Sequence, residues 1–172
     1  QFFLFTFAGS LFMLVGLITM WLKTGTTDIP TLMETGFSQP LQGWLLLAFV
    51  LAFGVKLPLF PLHAWLPDAY TEAPTPATAM MSGVLSKTGA YGLLRFGVLM
   101  FPDAARVFAP YILALGVAAI LYAAIVAYAQ SDMKRMVAYS SFSHMGMIAV
   151  GLFTLTAEGI DGAIFQMLSH GV

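Results

Sequence analysis

The sequence predicts an all-α integral membrane protein, a multi-span helical bundle with one discontinuous helix. Hydrophobic residues make up 59% of the chain and charged residues only 9%, whereas ordinary soluble domains carry about 25% charged residues. The mean hydropathy is +0.87, and the apolar residues form continuous runs of membrane-spanning length. Continuous runs indicate helices, because the strands of a membrane barrel alternate apolar and polar residues with a period of two.

Six apolar runs follow one another along the chain, and about 20 residues are enough to cross a hydrocarbon core of roughly 30 Å. The predicted spans are residues 2–22, 41–65 (broken), 77–101, 107–129, 136–155 and 160–172 (truncated). Because the chain begins inside one apolar run and stops inside another, we expect a fragment of a longer protein that forms a single transmembrane domain. Lysine and arginine are divided evenly between the two sides, so charge alone does not predict the orientation in the membrane.

Composition excludes several classes of function. The sequence contains no cysteine, so disulfides, cysteine-ligated iron–sulfur clusters and thiolate catalysis are excluded. The net charge of −1 and the lack of a basic face argue against a nucleic-acid partner, and no glycine-rich dinucleotide motif follows a strand. We therefore expect this chain itself to hold no catalytic residue, metal or cofactor.

The second span contains the stretch GVKLPLFPLHAWLP, which predicts a break in the helix. Pro58 cannot donate to the Gly54 carbonyl, and Pro61 cannot donate to the Leu57 carbonyl. Free carbonyls at membrane depth occur where protein or a water-filled cavity satisfies them, and broken helices build ion sites in transporters. Lys56 lies in this break, either on an ion path beside a hydrated gap at Leu57 or as a side chain that reaches an interface.

Four polar or aromatic residues cluster at the end of the broken span: His63, Trp65, Asp68 and Glu72. Tryptophan and charged side chains are common where a helix meets the membrane–water interface. We interpret this group as an interfacial girdle rather than as part of a site.

Lys87 lies in the middle of the third span, in the stretch SGVLSKTGAYGLLRF. Placing a lysine at the centre of a membrane helix costs about 2.5–3.5 kcal/mol, so an accidental lysine is not expected there. Gly83, Lys87, Tyr91 and Arg95 recur every four residues and share one helix face. Two interpretations remain: a structural lysine paired with a carboxylate on another helix, or a proton carrier, since burial favours the neutral amine.

Two histidines lie at similar depth in the last two spans. His144 is preceded by Ser140 and Ser141 within one helical turn, and His170 shares a face with Gln166. A buried histidine is commonly a satisfied polar group, and one histidine per helix is weak evidence for zinc or haem. Imidazole titrates near pH 6.5, about neutral, so two histidines beside two lysines predict a proton relay through ordered water.

Four stretches together resemble the antiporter-like membrane subunits of respiratory complex I. They are KLPLFPLHAWLPDAYTEAPTP, LSKTGAYGLLRF, AQSDMKRMVAYSSFSHMGM and QMLSHG. The resemblance runs from about Gln42 to the end of the chain and is greatest for the chain M branch. In chain L subunits and in multisubunit sodium–proton antiporters, glutamine usually stands where this sequence has His144.

The resemblance implies a fold of two inverted five-helix repeats, each with a broken helix, around a polar axis at mid-membrane. By motif, the broken-helix lysine of the family falls on Lys56 and the central lysine of the next span on Lys87. The two bridging histidines fall on His144 and His170. The glutamate that pairs with the first lysine and the terminal exit residue would lie outside this sequence.

The implied function is proton translocation by a subunit of NADH:quinone oxidoreductase in a bacterial cytoplasmic (inner) membrane. NADH, FMN, iron–sulfur clusters and quinone would belong to the complex and not to these residues. The expected partners are the other membrane subunits (chains L, N and their neighbours), the lipid bilayer, and protons carried by ordered water. Three alternatives stay open: a subunit of a multisubunit cation–proton antiporter, a subunit of a membrane-bound hydrogenase, and a scaffold whose lysines are fixed ion-pair anchors.

Overall fold

The computed structural model describes residues 2–171, and every regular element within that range is helical. The helices are α1 (Phe2–Thr24), α2 (Ile29–Thr35), α3 (Gln39–Lys56), α4 (Trp65–Glu72), α5 (Thr75–Met80), α6 (Ser86–Gly92), α7 (Pro102–Tyr128), α8 (Met133–Phe153) and α9 (Ala157–Gly171). Four of them, α1, α3, α7 and α8, are long and apolar enough to cross a membrane by length and composition. The predicted all-α membrane fold with one discontinuous helix is therefore confirmed.

Two π-helical segments flank α6 and make the region around Lys87 irregular. Met81–Leu85 joins α5 to α6, and Leu93–Val98 follows α6, so residues 75–98 form one continuous helical segment. We call this segment the lysine helix. π-Helical turns are rare and occur frequently at functional sites.

Small residues allow the helices to approach each other closely. In the α7–α8 pair, a Cβ atom on Gly146 would lie 3.0 Å from the Gly116 carbonyl oxygen. In the α1–α3 pair, a Cβ atom on Gly9 would lie 3.4 Å from the Ala52 backbone. Membrane helices associate through this kind of packing, because there is no hydrophobic gain from bringing two apolar helices together in lipid.

The closest approach joins the lysine helix to the end of α3. A Cβ atom on Gly89 would lie 2.8 Å from the Leu57 nitrogen and 3.0 Å from the Lys56 Cβ. A Cβ atom on Gly92 would overlap the Phe53 ring. Only glycine at these two positions lets the lysine helix pack on the C-terminal turn of α3.

The predicted break is present, because α3 ends at Lys56 and the next helix begins at Trp65. Protein groups satisfy two carbonyls of the interrupted turn. The Leu59 amide donates to the Gly54 carbonyl at 2.7 Å, and the Trp65 indole nitrogen donates to the Val55 carbonyl at 2.9 Å. The Gly54 carbonyl is therefore not free, and the expected hydrated gap at Leu57 is not found, since the Leu57 side chain is fully buried.

The group expected to form an interfacial girdle is divided between the interior and the surface. Trp65 is buried, and the His63 ring stacks on Phe142 with centroids 4.3 Å apart. Asp68 instead pairs with Arg135 across 2.8 Å, and both side chains are about half exposed. The interpretation of Trp65 as an interfacial residue was wrong, because its indole nitrogen is needed inside the break.

We expect Trp65→Phe to destabilise the fold, because phenylalanine keeps an aromatic ring but leaves the Val55 carbonyl buried without a donor. Losing a buried hydrogen-bond partner costs about 1–3 kcal/mol. The measurement is the thermal unfolding temperature of the assembled protein in detergent. Trp44→Phe is the matched control, since the Trp44 side chain is 72% exposed. Equal unfolding temperatures for the two variants would contradict the assigned role of Trp65.

Candidate functional site

Lys87 is held by a carbonyl group of its own helix. Its Nζ donates to the Ser82 carbonyl at 2.6 Å, and the Ser86 hydroxyl donates to the same oxygen at 2.8 Å. The Ser86 amide donates five residues back, to the Met81 carbonyl, as the π-helical segment requires. The irregular turn before Lys87 thus supplies a carbonyl oxygen to an amine that lies among apolar residues.

The second partner of Lys87 is His170 on α9. The Lys87 Nζ and the His170 Nδ1 are 3.0 Å apart, and which atom donates depends on the tautomer of the ring. Backbone contact brings α9 this close: a Cβ atom on Gly83 would lie 3.3 Å from the Gly171 carbonyl oxygen, and the reverse distance is the same. Two glycines therefore place the histidine against the lysine.

The two histidines are adjacent. The rings of His144 and His170 have centroids 5.2 Å apart and meet edge to face at 76°. The His144 Nδ1 lies 3.1 Å from the Gln166 Nε2, which orients the ring. Lys87, His170, His144 and Gln166 thus lie next to one another between the lysine helix, α8 and α9, and we call this group the relay chain.

Lys56 is not hydrogen-bonded to the relay chain. Its ammonium group lies 5.9 Å from the centroid of the Phe53 ring, on the same turn of α3. The Lys56 Cβ packs against the lysine helix at Gly89, two residues after Lys87. The structure thus brings the backbones of the two lysine-bearing helices together. The Lys56 ammonium group, however, lies over the Phe53 ring of its own helix.

The other predicted polar residues are distributed unequally. Ser141 is buried, whereas Ser140 and Tyr91 are exposed on the surface of the described chain. Tyr91 lines a groove between the lysine helix and α9 that also exposes Lys87. At the break, Gly54 and Pro58 are buried and Pro61 is exposed.

Among residues 2–171, the partner of Lys87 is a histidine and not a carboxylate. The two ion pairs in this range are Asp68 with Arg135 and Asp103 with Arg106. No group of three histidine or carboxylate side chains within the described range could hold a metal ion. The arrangement can hold and pass protons between nitrogen atoms, because each imidazole has one accepting and one donating nitrogen.

Sequence reasoning missed Ser82 as a partner of Lys87. Its carbonyl is available through a π-helical segment, for which the sequence has no recognisable signal. The five-residue spacing between the two positions is not one that pairs side chains on a regular helix. Reasoning also missed Tyr70, which is almost completely buried at the end of α4.

Comparison with known proteins identifies the family to which these features belong. The family model described as "NADH:quinone oxidoreductase/Mrp antiporter, TM" matches residues 1–172. The chain is 47% identical over 184 residues to NADH-quinone oxidoreductase subunit M of Rhodobacter capsulatus, covering 99% of this chain and 36% of the relative. The chain thus spans about a third of the length of the curated relatives that it matches.

Two solved structures contain a chain with the same fold. A chain of respiratory complex I from Thermus thermophilus with bound NADH is matched with a TM-score of 0.92 and 37% identity, over 99% of this chain and 37% of that one. A chain of the Mrp complex from Dietzia sp. DQ12-45-1b is matched with a TM-score of 0.87 and 27% identity, over 99% of this chain and 19% of that one.

We expect the pair Gly83→Cys and Gly171→Cys to be crosslinked by mild oxidation in membranes, because the two backbones are in contact beside Lys87. These 172 residues contain no cysteine, so a disulfide within them would report this pair. Gly83→Cys with Gly162→Cys is the control, since nothing lies within 4 Å of a Cβ atom at Gly162. Crosslinking in the control and not in the test pair would show that α9 packs differently from the arrangement described.

Proposed function

The chain belongs to the NADH:quinone oxidoreductase/Mrp antiporter transmembrane family, and we propose that it works in a proton-translocating membrane subunit of a respiratory NADH–quinone oxidoreductase. The observation that carries this proposal is the relay chain, in which Lys87 contacts His170 and His170 contacts His144. The identity of 47% to a subunit M supports complex I membership, and the presence of His144 favours the chain M type.

Lys87 is the first proposed carrier. As an ammonium group it can give a proton from Nζ to the His170 Nδ1, which lies 3.0 Å away. The amine that remains is neutral, and neutrality is the form that an apolar site favours. The Ser82 carbonyl continues to hold the amine through an N–H donor, so the side chain does not have to move between the two states.

The histidines are the next proposed carriers. A proton accepted at the Nδ1 of His170 makes an imidazolium, which releases the proton on Nε2 and returns to a neutral ring. His144 receives it through ordered water or after a small ring movement, because the ring centroids are 5.2 Å apart. Gln166 keeps the His144 ring oriented for this transfer. Imidazole suits this task, since its ordinary pKa of about 6.5 requires little driving force in either direction.

Lys56 is proposed to load the relay at the broken helix. Gly54, Pro58 and Pro61 end α3 directly after Lys56, and Gly89 brings that end against the lysine helix. A proton arriving at Lys56 would be passed to Lys87 through ordered water, since no hydrogen bond joins the two side chains in the described structure. Tyr91, Ser140 and Ser141 are proposed as supporting polar groups rather than carriers, because a hydroxyl near neutral pH passes protons only as part of a hydrogen-bonded water file.

The redox reaction is proposed to take place in other subunits. NADH, FMN, iron–sulfur clusters and quinone would be bound there, while this chain translocates protons in the bilayer. The proposed partners are the neighbouring membrane subunits, chains L and N among them, and the proposed location is a bacterial cytoplasmic membrane. The bacterial source of the Rhodobacter capsulatus relative supports this location.

A multisubunit cation–proton antiporter is the second candidate, because the Mrp complex contains the same fold at a TM-score of 0.87. A subunit of a membrane-bound hydrogenase is the third candidate. In an antiporter, Lys56 and Lys87 would control exchange of sodium for protons. Sodium-dependent proton movement without NADH would favour this candidate, whereas NADH-driven and sodium-independent uptake would favour the oxidoreductase.

Two substitutions of Lys87 separate a proton carrier from a fixed charge. Lys87→Arg keeps the charge but cannot release a proton, since the pKa of arginine is above about 12, and Lys87→Met removes the charge at similar volume. We expect both variants to assemble and both to lose most NADH-driven proton uptake in vesicles, measured per assembled complex. Lys23→Met, in an exposed position at the end of α1, should behave as the unsubstituted protein. Normal uptake by the arginine variant would rule out Lys87 as a carrier and leave it a structural charge.

Replacing His144 with glutamine tests whether the second histidine carries a proton. Glutamine keeps hydrogen bonding to Gln166 but cannot be protonated near neutral pH. We expect assembly to survive and NADH-driven proton uptake to fall in part, because water can bridge some of the distance to the next group. If the uptake rate equalled that of the unsubstituted protein, His144 would be only a packing residue.

A further inference from the structure

Two basic residues stand at the start of α8, where the end of a helix disfavours positive charge. Lys134 and Arg135 lie in the first turn of this helix, which begins at Met133, and the amide groups at a helix N-terminus make that end partially positive. Asp132 caps the helix, since its side chain accepts from the Arg135 amide at 2.9 Å. The two basic side chains therefore need partners outside their own helix.

Both side chains find these partners on α4, the second half of the broken span. The Lys134 Nζ donates to the Ala73 carbonyl at 3.1 Å and to the Thr71 carbonyl at 3.4 Å, so it binds the partially negative end of α4. Arg135 pairs with Asp68 at 2.8 Å, about one turn earlier on α4. Charges that are unfavourable at the start of α8 are thus compensated by α4, and we call these contacts of Lys134 and Arg135 the basic clamp.

A ring stack holds the start of α4 against α8 inside the bundle. The His63 ring lies on the Phe142 ring with centroids 4.3 Å apart and planes inclined by 12°, and Phe142 is fully buried. His63 precedes Trp65 by two residues, and Phe142 precedes His144 by two residues. The two helices are therefore joined at two levels, by polar contacts at the surface and by ring packing in the interior.

The start of α4 is in turn fixed to the end of α3. The Trp65 indole nitrogen donates to the Val55 carbonyl at 2.9 Å, and Val55 directly precedes Lys56. A series of contacts thus runs from the turn that carries Lys56, through α4, to the helix that carries His144. None of these contacts involves Lys87, which lies on the separate lysine helix.

We propose that the basic clamp makes α4 and α8 one rigid unit, and that Lys134, Arg135 and Asp68 are positioning residues for the proton relay. The unit keeps the turn that carries Lys56 at a fixed distance from His144. The three side chains contact each other's helices and not the relay chain, so they act through the position of the helices. The inference rests on the proposed function for the task that it gives to this fixed distance, whereas the rigidity of the unit is measured without any transport.

The first test measures rigidity. Glu72→Cys and Val137→Cys, at exposed positions on α4 and α8, carry nitroxide labels in the assembled complex, and electron paramagnetic resonance gives the distribution of distances between the labels. We expect one narrow distribution that stays the same when NADH is added, and a broader one when Lys134→Gln and Arg135→Gln are also present. Complexes with a single label control for labelling elsewhere. A distribution that shifts with NADH, or that the two glutamine substitutions leave unchanged, would overturn the rigid unit.

The second test measures the effect of the clamp on transport. Ion pairs at the surface add little to stability, so we expect Lys134→Gln with Arg135→Gln to assemble. NADH-driven proton uptake per assembled complex should fall about threefold to tenfold, since a displacement of about 1 Å can cost up to about 100-fold in rate. Asp103→Asn with Arg106→Gln is the matched control, because this ion pair is also exposed and spans 3.9 Å within α7. Uptake by the clamp variant equal to that of the control would overturn the positioning role.

The third test exchanges the two charges between the helices. Asp68→Arg alone places a third cation beside Lys134 and Arg135, and we expect it to lower the uptake rate at least as much as the glutamine double variant. Asp68→Arg with Arg135→Asp rebuilds the ion pair in the opposite direction and should restore most of the rate. A residue that exchanged protons itself would not be rescued in this way, so failure of the exchanged pair to restore uptake would also overturn the positioning role.

The positioning role and the relay fail in different ways. Normal uptake by the glutamine double variant, with uptake lost in Lys87→Met, overturns the positioning role and leaves the relay. A narrow label distribution with normal uptake by Lys87→Met overturns the relay and leaves a rigid unit. Slowed uptake in both variants, with rescue by the exchanged ion pair, supports both proposals.

Discussion

An amine that lies among apolar residues of a helical bundle needs polar partners from the protein, and this requirement organises the structure around Lys87. Ser82 supplies a carbonyl oxygen and His170 supplies a ring nitrogen, at 2.6 and 3.0 Å. The carbonyl comes from a π-helical turn of the same helix, and the histidine comes from α9. Neither partner is charged in its ordinary state, so the site can hold both the ammonium and the neutral amine, whereas a carboxylate would bind the ammonium alone.

Close backbone approach is the means by which this solvation is achieved. Gly83 meets Gly171 beside the lysine, and Gly89 and Gly92 receive the end of α3 on the lysine helix. A Cβ atom at Gly89 or Gly92 would overlap atoms of α3, whereas one at Gly83 or Gly171 would require a shift of only a few tenths of an ångström. The contacts at 2.6 and 3.0 Å therefore depend on glycines that carry no chemistry of their own, and the pattern is the one that membrane bundles use generally.

The sequence predicts the membrane fold and the chemical groups of the site, but not the contacts among them. Lys87 and the two histidines stand out because polar groups inside a membrane are costly, and Pro58 indicates where α3 must end. The partner of the Val55 carbonyl could not be predicted, since Trp65 reaches it across the break and looks like an interfacial residue in the sequence. The prediction of a hydrated gap at Leu57 was wrong for the same reason. Proline identifies which carbonyls lose a donor but not which group replaces that donor. The burial of Tyr70 depends on packing between α4 and α8, and no local pattern reports it.

The break in the second span is closed in part by groups that follow it in the chain. Leu59 and Trp65 satisfy the Gly54 and Val55 carbonyls, while the His63 Nδ1 is buried without a hydrogen-bond partner among the described residues. The Tyr70 and Ser141 hydroxyls, which lack a hydrogen-bond partner among the described residues, lie on α4 and α8. The ion pair between Asp68 and Arg135 joins these two helices at the surface. The Lys134 ammonium also donates to the Ala73 carbonyl at 3.1 Å, so a polar contact joins the start of α8 to the end of α4. The closed break thus holds the end of α3, with Lys56, against the lysine helix at Gly89.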